Sequence, residues 1–293
     1  MATASDYLRL DLTQAQCDAI SAHTPFRFRT ISVPKVDNPT ATESLIEPYL
    51  PLPLTSSPAL ILSPQRPTDV QRITDTLTRP EVGMQLIGPP WPFKEEDARS
   101  WGDFINSQAR EMFDAFKHMA DDEEAGSATG QGAVGKDAAH DKPATQAKWP
   151  VPKPSLHSIR RLDTDEWVGD FGVTRWQFVD VADSDEQKRL AAENDAKDPL
   201  DPTVVWSFGY YLHPELHGHG RMALVLQSML DNYFDGFLGA DEIRGGAYAT
   251  NFASIRTQEK CGLVRYATHM VEVNEGRGGG LREEVILRRR RVR

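Results

Sequence analysis

The chain has 293 residues, 39% of them hydrophobic and 26% charged, with a formal net charge of −10. That length suits one large domain with embellishments or two small ones, and the apolar share supports a core that needs no staples. The acidic balance argues against a general nucleic-acid binder, whose affinity rests on Lys and Arg against phosphate, and favours a cationic partner such as an amine. No stretch nears the roughly 20 apolar residues of a membrane span. The start, MATASDYLRLDLTQ, lacks the basic flank and apolar core of a secretory signal. Cys17 and Cys261 stand far apart without metal-type spacing. A reduced, cytoplasmic protein is the simplest expectation, with the nucleus left open.

Residues 1–57 read as an N-terminal extension or arm. In it, FRFRTISV is expected as an edge strand and the Pro-rich NPTATESLIEPYLPLPLTSSP as an extended wrap. The main domain, 58–293, opens with the apolar run from Ala59. RPTDVQRITDTLTRPEV predicts a helix capped by Thr68, with Val70, Ile73 and Leu77 on one face and Pro80 beyond its end. A second amphipathic helix lies in PPWPFKEEDARSWGDFINSQAREMFDAF, where Glu95, Glu96 and Asp97 complement the helix dipole. From Ala120 to Lys142 large apolar residues almost vanish, which predicts a mobile insertion over about 120–150.

Two strands follow, SLHSIRRL and WVGDFGVTRWQFV, joined by the turn DTDE. SDEQKRLAAENDAK predicts a polar helix with a capping box from Ser184 to Gln187, within a second insertion at about 182–201. The order is then strand (TVVWSFGYYL), helix (GRMALVLQSMLDNYFDGFL), strand (EIRGGAYAT) and a short helix (FASIRTQEK) stopped by Gly262. Two last strands, LVRYATHMVEV and LREEVILRR, flank a Gly-rich loop. The predicted class is α/β (α+β), a mixed sheet with helices on both faces.

The stretch HPELHGHGR carries the most specific chemistry. The helix after it begins near Gly220, and its first N–H groups have no intrahelical partners. With no side chains at Gly218 and Gly220, a bulky anion can approach those N–H groups, while His217, His219 and Arg221 add donors. The turn suits a pyrophosphate; a plain strand-to-helix turn using glycine for geometry is the alternative. A dinucleotide fingerprint fits poorly, because HPEL separates the glycines from the strand, and Asp241 and Glu242 precede the next strand instead of closing it. His213, His217 and His219 hint at zinc, but Pro214 disfavours a helix through them, and no metal is expected.

Four segments in register resemble the GNAT superfamily of N-acetyltransferases, in its branch similar to the ribosomal-protein N-terminal (alanine/serine) acetyltransferases. They are LTRPEVGMQLIGPPWPFKEEDARSW, WVGDFGV, GYYLHPELHGHGRMA and NFASIRTQEKCGL. The resemblance implies a splayed central sheet with acetyl-CoA in the gap and its pyrophosphate on the helix from Gly220. It places the backbone donor to the thioester carbonyl at Tyr211 or Leu212, a one-donor oxyanion site. It sets His217, Gly218, His219, Gly220, Arg221 and Met222 around the phosphates, and Asn251 on the pantetheine arm. Asn251 reads equally as a helix N-cap. Two departures stand out. Glu215 replaces the usual Gln or Arg of the turn, and Gln258 replaces a Tyr that protonates the departing thiolate. Ser254, directly or through a water, is the stand-in the branch suggests. Two-fold pairing through sheet or arm, giving a homodimer, is common in the superfamily.

The acceptor's own proton is the remaining problem. Neutralising a Lys-type amine at pH 7 costs about 4–5 kcal/mol, and an α-amino group only about 1.4 kcal/mol. Asp170, in WVGDFGV, is the first candidate for a base or amine anchor, with Glu96 and Asp97 next. Trp91, Trp176, Trp206, Tyr210 and Tyr211 are candidate walls of an acceptor pocket, with core packing as their alternative use. The acceptor is expected to be a small amine such as an amino sugar, or a protein N-terminus. A non-catalytic acyl-CoA-binding protein of the same fold is the alternative.

Overall fold

The computed structural model describes residues 7–35, 38, 40–52, 59–128 and 155–291, with backbone alone for 123–128. Helix α1 (Gln14–His23) leads into strands β1 (Arg27–Pro34), β2 (Thr42–Leu52) and β3 (Leu60–Ser63). Helices α2 (Val70–Leu77), α3 (Pro80–Gly83) and α4 (Glu95–Ala128) follow, then β4 (Ser158–Arg161), β5 (Trp167–Arg175) and α5 (Ser184–Ala196). Strand β6 (Val205–Leu212) precedes α6 (Arg221–Ser228), which continues as a π-helical run over Met229–Leu238. The chain closes with β7 (Glu242–Tyr248), α7 (Phe252–Lys260), β8 (Val264–Glu272) and β9 (Leu281–Arg290).

The strands form one sheet in the order β1-β2-β3-β4-β5-β6-β7-β9-β8. Every pairing is antiparallel except β6 with β7. That one parallel pair creates the site. Strand β5 stays with β6 as far as Gly169↔Leu212, whereas β6 leaves β7 after Phe208↔Gly245. Strand β7 meanwhile keeps to β9 through Tyr248↔Glu284. Beyond Phe208 the sheet therefore parts into two halves.

Alternation along the central strands gives each face its own layer. Phe171, Val173, Phe208 and Leu212 enter the main core with Met112, Phe113 and Phe116 of α4, Val225 and Leu226 of α6, Phe234 and Ile255. Tyr211 joins a smaller cluster of Val70, Ile73, Leu77, Val82, Phe93, Ala98 and Trp167. Helices cover both faces, as expected.

Several local expectations need correction. Thr68 does not cap a helix: Pro67–Asp69 form a 3-10 turn, and the Asp69 carboxylate accepts from Arg66 N (2.8 Å) and from Arg160 Nη2 (2.5 Å). Asp183, not Ser184, caps α5, accepting from the N–H groups of Asp185 and Glu186. The expected wrap after residue 38 is a paired strand, β2, which bonds β1 along its first part and β3 along its last. Helix α4 continues past Ala120 to Ala128; the rest of the predicted 120–150 insertion lies outside the described residues, as do 53–58. The long helix after Gly220 changes to π geometry at Met229. Its buried pairs, Val225/Leu226, Met229/Leu230 and Tyr233/Phe234, recur every four residues. A coil wider than 3.6 residues per turn keeps all of them on the core.

Beta-strand Glu47 is 3% exposed and accepts from Arg29 and Arg66, which both also reach Asp165 in the β4–β5 turn. This network ties β1 and β2 to the centre of the sheet. Among the described residues no helix is long and apolar enough to cross a membrane.

Candidate functional site

The turn between β6 and α6 carries the chain through two left-handed glycines, Gly218 (φ +81°) and Gly220 (φ +68°). Neither has a heavy atom within 4 Å of where a Cβ would stand, so the space above them is open. Gly220 is the N-cap and supplies no side-chain bond, leaving the first N–H groups of α6 uncapped by any side chain. His219 is exposed beside them, Arg221 begins the helix, and Met222 packs against the main core. Glu215 points away from this cradle: Arg72 Nη2 reaches its carboxylate at 3.3 Å, and His213 Nδ1 lies 3.3 Å from it. Burial pushes the His213 imidazole below its ordinary pKa, with Arg72 acting in the same direction. The negative charge that departs from the family pattern is thus partly offset.

Ladder alternation selects between the two expected backbone donors. His213 N donates to Val168 O at 2.8 Å, and Trp176 N to Val205 O at 2.9 Å. Odd-numbered β6 residues, Tyr211 among them, therefore direct their N–H and C=O to β5, and even-numbered ones face β7. Past Phe208 no β7 backbone meets them. The Leu212 carbonyl there accepts from His217 Nε2 (2.9 Å), and the Leu212 N–H is aimed into the gap. Leu212, not Tyr211, is the geometric candidate.

On the α7 side of the gap lies a hydroxyl cluster. Tyr210 Oη is 3.1 Å from Ser254 Oγ, and Gln258 Nε2 donates to the same Oγ at 3.3 Å. Asn251 caps α7 by accepting from Ser254 N at 3.1 Å. Its carbonyl oxygen is thereby engaged, while its amide hydrogens stay at the helix mouth. The Tyr210 ring stacks with Phe171 and Phe208 at 6.1 and 5.8 Å, and burial pushes its phenol up to about 12.

The opposite face of the sheet, toward α2 and α4, carries glycines on adjacent central strands. Gly172 pairs with Gly209, and Gly246 follows Gly245, the last β7 residue paired with β6. A Cβ on Gly209 would meet nothing within 4 Å. On Gly172 it would meet His157 Cε1 at 2.8 Å, and on Gly246 it would strike the Glu284 carboxylate. Each flank so carries a carboxylate with an imidazole. Asp170, 8% exposed, has His157 Nδ1 at 3.7 Å, too far for a hydrogen bond. Trp101 sets its ring edge-on to His157 at 6.0 Å. Glu284, 7% exposed, is bonded to His269 Nε2 at 2.5 Å. Tyr211 lies across from Asp170, and burial, aided by that carboxylate's charge, holds its phenol well above its usual range.

Other predicted residues lie elsewhere. Trp206 is 1% exposed within the main core, and the Trp176 ring is buried, donating to Asp180 at 2.9 Å and facing Arg244. Neither offers a pocket wall. Trp91 lies over Gly83 in the loop before α4, where a Cβ would overlap its ring. Glu96 is exposed and pairs with Lys94 at 3.1 Å, while Asp97 accepts from Lys94 N at 2.8 Å. Both serve the first turn of α4. Sequence reading passed over His157, Trp101, Glu284 and His269 because each is an isolated polar or aromatic residue in its own segment; only strand register groups them. Among the described residues no cluster of His, Cys, Asp or Glu could hold a metal ion.

Residues 161–264 match the family model described as acetyltransferase (GNAT) domain. This segment contains β5, β6, the glycine turn, α6, β7 and α7. No curated protein matches the chain. Among solved structures, it is similar to a GNAT-family acetyltransferase from Bacillus anthracis, with 11% identity and a TM-score of 0.47 over 81% of this chain and 97% of that one. It is also similar to the ribosomal L7/L12 alpha-N-protein acetyltransferase RimL in complex with coenzyme A, at 12% identity and a TM-score of 0.48, covering 82% and 97%. A third is AAC(6')-Ib in complex with ribostamycin and coenzyme A, at 13% identity and a TM-score of 0.41, covering 76% and 89%.

Proposed function

We propose that this chain, whose residues 161–264 match the GNAT acetyltransferase family model, transfers the acetyl group of acetyl-CoA directly to a primary amine. The observation that carries this reading is the parting of β6 and β7 after Phe208, next to the uncapped start of α6. Acetyl-CoA would supply an activated acyl carbon. The residues present fit it: Gly218, Gly220 and the α6 N–H groups suit the pyrophosphate, with His217, His219 and Arg221 around it. Asn251 offers amide hydrogens to the pantetheine arm, and the Leu212 N–H serves the thioester carbonyl as charge develops on it.

On the α7 side, Tyr210 and Ser254 stand where a proton is needed by the departing sulfur. A phenol held near 12 keeps its proton at neutral pH and can share it through Ser254. On the glycine-bearing face, Asp170 provides an anionic anchor for the acceptor's ammonium group. The open space at Gly209 and the aromatic edge of Trp101 support a small amine, such as an amino sugar, or the first residue of a protein N-terminus.

Two measurements test this. Calorimetry should find acetyl-CoA binding, and free thiol should appear when acetyl-CoA is mixed with serine- or alanine-starting peptides, polyamines or amino sugars. Silence across that panel would count against transfer. The second reading, a non-catalytic acyl-CoA-binding protein, draws on Gln258 in place of an acidic Tyr. Tight acetyl-CoA binding without turnover, unchanged by Ser254→Ala and Asp170→Asn, would favour it.

A further inference from the structure

Two carboxylate–imidazole pairs flank the glycines of the central strands, and they are built differently. Asp170 and His157 stand 3.7 Å apart, both almost fully buried, and His157 Nδ1 has no hydrogen-bond partner among the described residues. Glu284 and His269 are joined at 2.5 Å, and the His269 side chain remains 21% exposed. The two carboxylates are buried alike, with side chains 12% and 9% exposed, but only the second pair is bonded, and its imidazole is the one that reaches water.

We infer that Glu284 is the group that takes the acceptor's proton, with His269 linking it to solvent, while Asp170 only anchors. This rests on the acetyl-transfer reading and deepens it. Strand register puts Glu284 on the working face: Tyr248 is its β7 partner, His269 its β8 partner, and its Oε1 lies over Gly246, where β7 leaves β6. Only Oε2 is bonded to His269, so Oε1 is available to an incoming nitrogen. Burial raises the Glu284 carboxyl, against the pull of His269. The charged and titratable groups around it are His269 on β8, Tyr248 on β7 and, two residues along the same face of β9, Arg282, which stacks over Tyr248 at 5.4 Å.

The step balances. The ammonium gives one proton to Glu284 Oε1, and the free nitrogen then bonds to the acetyl carbon. As the carbon–sulfur bond breaks, the sulfur leaves with its electron pair. Tyr210 protonates that thiolate and is reprotonated, through Ser254, by the second nitrogen proton, giving amide and free thiol. Glu284 returns its proton through His269 to water.

The test uses Glu284→Gln and His269→Gln in the full chain, with glucosamine, spermidine and a serine-starting peptide as acceptors. Near neutral pH, Glu284→Gln should lower kcat/KM about 100-fold, within the span of general-base catalysis. Its rate should climb tenfold per pH unit as the amine loses its own proton in solution, and approach wild type in alkali. His269→Gln should fall less, with the acid limb of the pH profile moved. The acetyl-CoA Kd and the circular dichroism spectrum should not change, which separates a lost proton acceptor from a lost fold. Crystals soaked with the acetylated amine's precursor should place its nitrogen at about 3 Å from Glu284 Oε1. A wild-type pH profile in Glu284→Gln, or a nitrogen held by Asp170 alone, overturns the inference and leaves acetyl transfer standing. If wild type acetylates no probe, both fall.

Discussion

The hydroxyl of Tyr210 lies 3.1 Å from Ser254 Oγ, across the gap between a strand and the helix that follows its parallel neighbour. The family's tyrosine position is filled here by Gln258, which instead steadies Ser254 through Nε2. On the acetyl-transfer reading, the acid function falls to the strand and not to the helix. Tyr210→Phe should therefore lower kcat about 10- to 100-fold, the lower reach of general-acid catalysis, because a thiolate is a tolerable leaving group. Ser254→Ala should cost less, since Tyr210 keeps its own proton. Pre-steady-state thiol release distinguishes the two.

Gly220 should be the more sensitive of the turn glycines to a side chain. At φ +68° an L-residue costs roughly 1–2 kcal/mol, so Gly220→Ala should lower the thermal midpoint by a few degrees. The larger effect is on binding, where a methyl stands among the α6 N–H groups. Calorimetry should show acetyl-CoA affinity down about tenfold, or about 1.4 kcal/mol.

Gly209 tests the acceptor face without disturbing the fold. A Cβ there meets no atom within 4 Å, and its φ is not left-handed. Gly209→Ala should leave the midpoint unchanged or slightly raised, by about 0.4–1 kcal/mol of reduced unfolded-state entropy. Gly209→Leu fills the open space above the strand and should raise the acceptor KM at least about tenfold, with the acetyl-CoA Kd held.

Acid stability should be carried by the Glu47 network. Burial works to raise the Asp165 carboxyl, but Arg66, Arg29 and Arg160 outweigh it and hold the group below the ordinary range. A carboxylate with a depressed folded value adds stability that is present above its unfolded value, near 4, and is lost as pH falls through the folded value. Asp165→Asn should flatten the acid limb of a pH–stability curve below about pH 4. Glu47→Ala, which leaves the buried Arg66 and the half-buried Arg29 with Asp165 alone, should cost about 3 kcal/mol at all pH values above that limb, read by urea unfolding.

Much of this protein was legible before any coordinates. The periodic apolar runs foretold the central strands and the helices, and the HGHG turn placed the uncapped start of α6 at Gly220. Asn251, Ser254 and Asp170 were singled out, and the structure sets Asn251 and Ser254 side by side. Local chemistry was read less well where two residues compete for one role. Asp183 and Ser184 are both good caps, and the choice went to Asp183. Thr68 lost to Pro67 and Asp69, because the Asp69 carboxylate is drawn to Arg160.

What the sequence determined alone was everything that depends on near neighbours: which segments alternate, where a helix starts without a side-chain cap, and which stretch has too little apolar surface to join a core. Tertiary structure decided what depends on register between distant strands. Trp206 and Asp170 both sit on strands, yet one is core and the other lies on the face of Gly172 and Gly209, because one residue of register reverses the face. Glu284 and His269 acquire a role only because β9 lies between β7 and β8. The gap itself exists only because β6 and β7 stop pairing after Phe208, a property of two strands that neither segment carries by itself.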